Sequence, residues 1–255
     1  MTKKELLTWY NEIGLNVALY FEKSSQKIVE KSKKIQSVET FISKDESQNE
    51  KSNISSRVFA DGASNLSELK DFVLNFDGCD LKINSKNTVF SDGNSNARIM
   101  AIGEAPGAEE DLKGIPFCGQ SGKLLDKMFA SIGLYREQNL YITNTVFWRP
   151  PNNRRPTKEE LDICRPFLEK HIALIKPKLI IMVGATAVES LLGRVDPITK
   201  IRQKYFQYKN AYLEDYIDAT PIFHPAYLLR QQSQKPLAWE DLKLIKDKYE
   251  TLYNS

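Results

Sequence analysis

At 255 residues, with 41% apolar and 27% charged side chains, the chain has the composition of a soluble globular protein large enough for one α/β domain or two small ones. No apolar run approaches the roughly 18 residues that span a bilayer, and three scattered cysteines (Cys79, Cys118, Cys164) exclude a disulfide framework. A net charge of +3 is compatible with a nucleic-acid partner without arguing for one.

The N-terminal MTKKELLTWYNEIG lacks an apolar leader because Glu5 and Glu12 interrupt it, which predicts a cytoplasmic protein. Residues 4–21 can form an amphipathic helix with Leu6, Leu7, Tyr10, Ile13, Val17 and Tyr20 near one face, giving an N-terminal helix over 1–22. The Lys-, Ser- and Glu-rich stretch that follows has few large apolar residues to offset its ordering entropy, and 23–63 reads as a flexible linker. The main domain is expected over 64–255. Its first element is a short helix, SELKDFVLNF. Continuous apolar runs then predict buried strands at 97–103, 139–144, 178–184 and 219–224, with helices at 120–132, 158–175, 185–193 and 236–252. Thr157 and Glu160 form a capping box at the start of the second of these helices. Strands alternating with helices predict an α/β fold with a mostly parallel sheet covered on both faces. Ligands of such sheets bind beyond the carboxyl ends of the strands. Three of these ends carry Gly103-Glu104, Thr143-Asn144 and His224-Pro225, so residues distant in sequence are expected at one rim.

The stretch GEAPGAEEDLKGIPFCGQSG, residues 103–122, sets five glycines and two prolines beside four carboxylates. Glycine turns let backbone N–H groups approach a ligand closely, although a bare strand-to-helix turn uses the same residues. No GKS or GKT follows, and the spacing is not the dinucleotide fingerprint. Phe117, in a loop bounded by Gly114 and Gly119, can present its face to a planar base or simply anchor the loop. The amide of Asn144 can pair with one edge of a nucleobase, or cap a helix. His224 can aim its imidazole at a ligand, and the HPAYLLR that it opens offers an apolar wedge followed by a DNA-phosphate contact at Arg230, or simply starts a helix. His171, mid-helix, reads as structural. RPPNNRRP, residues 149–156, is rigid and basic and suits DNA-phosphate contacts through Arg149, Arg154 and Arg155, although a charge cluster alone is more often a solvated loop.

Taken in order, GEAPGAEED, G-x-PF-x-G-x-SG-x-LL, YITN, RPP-x-NRRP and HPAYLLR resemble the family 4 uracil-DNA glycosylases over about residues 70–245. The resemblance implies a three-layer α/β/α sandwich around a central four-stranded, mostly parallel sheet. It implies a uracil pocket lined by Gly103, Glu104, Ala105, Pro106 and Gly107. By the same resemblance Phe117 is expected to stack on the flipped base, Asn144 to read its polar edge and His224 to stabilise negative charge near O2. Glu110 matches the family's acid expected to crowd C5 and exclude the methyl of thymine. Ala105 stands where other glycosylase branches place a water-activating Asp, which leaves Glu104 or substrate phosphates as the candidates. In IRQKY, residues 201–205, Gln203 departs from the Arg-Gly pair usual in the family and puts that loop's DNA contacts in question.

The family typically binds a 4Fe–4S cluster through four cysteines. Cys79 and Cys164 match two of these positions, while Phe76 and Trp148 occupy the others and Cys118 lies in the pocket motif. A cubane cluster needs four thiolates, so no cluster and no metal are expected, with Phe76 and Trp148 filling the site. Direct transfer of the family pattern would instead assign a 4Fe–4S cluster. The expected activity is that of a monomeric, monofunctional DNA-repair enzyme that flips uracil out of single- or double-stranded DNA and hydrolyses its N-glycosidic bond. The expected product is an abasic site. The competing expectation is a relative that binds uracil-containing or single-stranded DNA without turnover.

Overall fold

The structure, a computed structural model, describes residues 56–254. The expected helix over 1–22 and most of the linker over 23–63 lie outside the described residues. The last eight residues assigned to the linker do not behave as one. Residues 56–62 are helical, Ala60 and Ala63 are buried, and the Phe59 ring packs on Phe72 and Phe76 at 5.7 and 5.8 Å between centroids. RVFADGA has its own apolar face, which the polar composition of the preceding segment hides. Arg57 adds an ion pair to Glu169 at 2.7 Å.

Next comes α1 (Leu66–Asn75), capped by Asn65 Oδ1 accepting from the Glu68 N–H at 2.9 Å. The remaining strands are β1 (Asp92–Gly93), β2 (Ile99–Gly103), β3 (Leu140–Asn144), β4 (Leu179–Val183), β5 (Phe206–Tyr208) and β6 (Ile217–Ile222). The helices are α2 (Ala108–Lys113), α3 (Gln120–Ala130), α4 (Lys158–Ile175), α5 (Ala185–Leu192), α6 (Ile198–Ile201), α7 (Pro225–Arg230) and α8 (Lys235–Asn254). The sheet has six strands in the order β1-β3-β2-β4-β6-β5. The four expected strands form its parallel centre. The two additional strands, β1 and β5, are antiparallel edges of two and three residues, too short to carry a sequence period.

Side chains alternate across this sheet as pleating requires. Ile99, Ala101, Ile142, Ile181 and Ile222 pack on one face with Leu125 and Phe129 of α3 and Leu242 and Ile245 of α8. Met100, Ile102, Tyr141, Ile180 and Ala219 pack on the other with Leu168 and Ile172 of α4 and Val188 of α5. The result is the three-layer α/β/α arrangement, and continuous apolar strands follow from both faces being covered. The capping box of α4 is present: Glu160 N–H donates to Thr157 Oγ1 at 3.3 Å, and Thr157 N–H to Glu160 Oε2 at 2.8 Å. Among the described residues no helix is long and apolar enough to cross a membrane.

Candidate active site

The parallel register sets Gly103 directly opposite Asn144 at the ends of β2 and β3. A side chain at position 103 has no room: a Cβ there would lie 2.3 Å from Cζ of Phe117 and 2.5 Å from Oδ1 of Asn144. Glycine thus lets an aromatic edge and a carboxamide meet over one backbone position. Asn144 is 1% exposed, and neither its Oδ1 nor its Nδ2 pairs with another group among the described residues. Buried amides are almost always hydrogen-bonded, and this one lines a cleft of about 510 Å³.

The GEAPG turn leaves β2 and enters α2. Both carboxylate oxygens of Glu110 are engaged, Oε2 by the Gly107 N–H at 3.1 Å and Oε1 by the Gly119 N–H at 2.8 Å. Glu110 therefore staples the first glycine turn to the Phe117 loop while it lines the cleft. Phe117 has a left-handed backbone, φ 51°, a conformation costly for a residue with a side chain. Arg136 holds it there. Its guanidinium donates to the carbonyls of Phe117 and Pro116 at 2.7 and 2.8 Å and pairs with Asp126 and Asp92 at 2.8 and 2.9 Å. Nothing in the sequence marks this arginine, since its partners come from three separate segments.

His224 lies two residues past β6 and caps α7, its Nδ1 accepting from the Ala226 N–H at 3.2 Å. Burial lowers its pKa, with Arg230 pulling the same way and Glu104 and Glu110 opposing. The ring is neutral, and because Nδ1 accepts, the proton sits on Nε2. Gly184, at φ 93°, lets the end of β4 approach this ring, where a Cβ would stand 3.1 Å from His224 Cβ. The Phe117 and His224 rings are 5.9 Å apart.

Glu104 faces the cleft from the other side. Its Oε2 accepts from Thr186 Oγ1, a residue of α5, and its carbonyl accepts from Thr145 Oγ1 at 2.5 Å. Thr186 Oγ1 in turn accepts from Arg155 Nε at 2.9 Å, and Arg155 also pairs with Glu189. Arg154 forms a two-pronged ion pair with Glu160, at 2.8 and 2.6 Å. Arg149 donates to Asn153 Oδ1 at 2.7 Å.

All of the 104–107 turn lines the cleft, with Glu110, Phe117, Asn144 and His224. Arg154 and Arg230 reach it as well, whereas Arg149 and Arg155 do not; Gly103 lies at its base. Ser121 and Tyr227 line it too, from α3 and α7, and carried no sequence signal of their own. Gln203 keeps a left-handed backbone, φ 61°, in the loop where the family pattern has glycine.

The four positions of the family's metal-binding pattern meet in one buried cluster. Phe76 stacks on Trp148 at 6.4 Å and meets Phe167 edge-on at 5.0 Å, and the indole N–H donates to Thr88 Oγ1 at 2.9 Å. Cys79 and Cys164 hydrogen-bond to each other, and full burial pushes the Cys164 thiol well up, so it stays protonated. Two cysteines and two aromatic rings supply only two of the four thiolates that a cubane cluster needs. Among the described residues no group of three or more His, Cys, Asp or Glu side chains has a metal-binding arrangement.

The model of the Uracil DNA glycosylase superfamily matches residues 90–243. A Type-4 uracil-DNA glycosylase of Sulfurisphaera tokodaii is 38% identical over 187 residues, 71% of this chain and 84% of that protein. One of Thermotoga maritima is 40% identical over 154 residues, 59% of this chain and 77% of that protein. One of Pyrobaculum aerophilum is 35% identical over 184 residues, 71% of this chain and 92% of that protein. The superfamily match spans the β2 turn, the β3 end and the β6–α7 junction that build the cleft, and the chain belongs to the uracil DNA glycosylase superfamily, in its type 4 branch.

Proposed function

We propose that this chain excises uracil from DNA in base-excision repair, as a cytoplasmic, monofunctional glycosylase that works as a monomer. The observation that carries the reading is the Asn144 amide, buried in the cleft with both polar atoms unpaired among the described residues. With Oδ1 toward N3–H and Nδ2 toward the carbonyl, the amide matches the edge of uracil; cytosine would need the amide turned over. The cleft, at about 510 Å³, is in the range of small-molecule sites. The base must leave the stack to enter it, at a cost of a few kcal/mol. Stacking on Phe117 returns about 1–3 kcal/mol of this.

The C1′–N1 bond then breaks, its electron pair leaving with the base. His224 Nε2–H donates to the negative charge that develops on the uracil carbonyl, which a neutral imidazole of fixed tautomer does without proton transfer. Water adds to C1′ and loses a proton to the Glu104 carboxylate, and the uracil anion takes its proton from solvent. Glu110 keeps the wall near C5 in place. Arg230, on α7 at the cleft, is the phosphate contact best supported by position; Arg154 and Arg155 must give up ion pairs to serve as others.

The chain is further proposed to work without an iron–sulfur cluster. The support is the donor set: two cysteines, with Phe76 and Trp148 packed where two more would be needed. Purified protein incubated with a uracil-containing oligonucleotide, single- or double-stranded, should yield alkali-labile breaks at uracil from a colourless solution. Binding without breaks would establish the non-catalytic alternative, and broad absorption near 400 nm (roughly, as thiolate-bound clusters show) would refute the cluster-free reading.

A further inference from the structure

We propose that Thr186 and Arg155 are positioning residues that orient the Glu104 carboxylate toward the reacting water. The proposal rests on the reading of Glu104 as the group that accepts the water proton. Thr186 occupies the first turn of α5 and is 1% exposed. Its hydroxyl has a single hydrogen. Arginine only donates, so the 2.9 Å contact from Arg155 Nε obliges Thr186 Oγ1 to accept there. The one hydrogen is then committed to Glu104 Oε2. A charged donor behind the hydroxyl strengthens the bond that the hydroxyl makes in front.

Arg155 is fixed in turn. Glu189 stands one turn after Thr186 on the same face of α5 and pairs with the guanidinium. Glu104 Oε1 takes no hydrogen bond from any described residue, and Glu104 lines the cleft. One carboxylate oxygen is thus tethered while the other is left for chemistry. The backbone of the same residue is tethered as well, through Thr145 Oγ1 at 2.5 Å. Arg155, which its sequence context assigns to phosphate contacts, lies outside the cleft lining and spends two of its nitrogens on α5.

The test is single-turnover excision from a uracil-containing oligonucleotide by T186V, T186S, E104Q and E104Q/T186V, with DNA affinity and thermal stability measured on each. T186V keeps the shape and loses the hydroxyl. Its rate should fall about tenfold to a hundredfold, the scale of a misplaced catalytic group, with DNA affinity little changed. T186S restores the hydroxyl and should recover most of the rate. In the E104Q background the T186V change should add almost nothing. An equal loss in both backgrounds, or no loss from T186V when E104Q is impaired, overturns the relay. An E104Q enzyme of full rate overturns the underlying role of Glu104 as well. Should T186V misfold, R155M tests the outer link from a half-exposed position. It should slow excision and leave the salt dependence of DNA binding unchanged. A slope of log affinity against log salt reduced by about one marks a lost phosphate contact, and that result overturns the assignment of Arg155.

Discussion

At His224 the backbone fixes the proton before any base arrives. The Ala226 N–H occupies Nδ1 at 3.2 Å, and burial disfavours the imidazolium. On the proposed mechanism the donor offered to the leaving base is thus Nε2–H of a neutral ring. His224→Ala should lower the single-turnover rate about a hundredfold to a thousandfold, the scale of losing one donor to a developing anion. Affinity for uracil-containing DNA should change by no more than a few-fold; equal losses would place His224 in ground-state binding. The lowered pKa also sets the acid limb. Activity that needs the neutral ring should hold through neutral pH and fall only below the ordinary histidine range near 6.5. His224, Asn144 and Phe117 were legible in the sequence because each stands where a strand ends or glycines open a loop. Thr186 and Arg136 were not: a threonine in a helix and an arginine before a strand have no pattern, and their roles exist only through partners distant in the chain.

Two loops in the left-handed region set the scale of single elements. The Phe117 loop is held by two hydrogen bonds from Arg136, which is 13% exposed and is itself fixed by Asp126 and Asp92. Lysine at that position keeps the charge but is a point donor that cannot span two carbonyls and two carboxylates. Arg136→Lys should reduce kcat/KM by about tenfold through a misplaced ring. The loss should vanish when Phe117 is already leucine, as a double-mutant cycle reports. A loss that persists there would make Arg136 a general stabiliser. At Gln203 the left-handed backbone has no such anchor; the side chain is exposed. A non-glycine residue there costs about 1–2 kcal/mol, and glycine returns part of this in chain entropy. Gln203→Gly should therefore stabilise the fold by about 0.5–1 kcal/mol, visible as a small rise in Tm, with excision unaltered. A fall in Tm would mean that the Gln203 side chain contributes something its exposure does not suggest. The four central strands were readable as continuous apolar runs because both sheet faces are covered. Edge strands β1 and β5 follow from pairing alone, and no local pattern announces them.

Across the whole molecule, one buried imidazole couples stability to pH. His171 of α4 is fully buried, stacked on Phe90 at 4.4 Å, with Nε2 bonded to Tyr141 Oη at 2.8 Å. Tyr141 Oη also bonds to Ser91 Oγ at 2.7 Å, and Nδ1 of His171 has no partner among the described residues. Burial holds the His171 pKa down at about 3. The unfolded chain titrates near 6.5 and binds the proton first. Its stabilising contribution is thus complete above pH 6.5 and declines as pH falls, until the folded state also protonates near 3. By pH 4 the loss amounts to about 3 kcal/mol from this group alone. His171→Phe keeps an aromatic ring against Phe90 and leaves Tyr141 bonded to Ser91. Urea unfolding of both proteins from pH 7 to pH 4 should show the variant's stability falling less, by roughly that amount, whatever the two values are at neutral pH. Parallel curves would mean that His171 titrates in the folded state near its unfolded value, which requires solvent to reach the ring. The same core holds Phe76, Phe147 and Trp148. An acid-labile histidine set in an aromatic cluster makes this wall of the domain, behind the RPPNNRRP loop, the place where loss of packing at low pH is expected to begin.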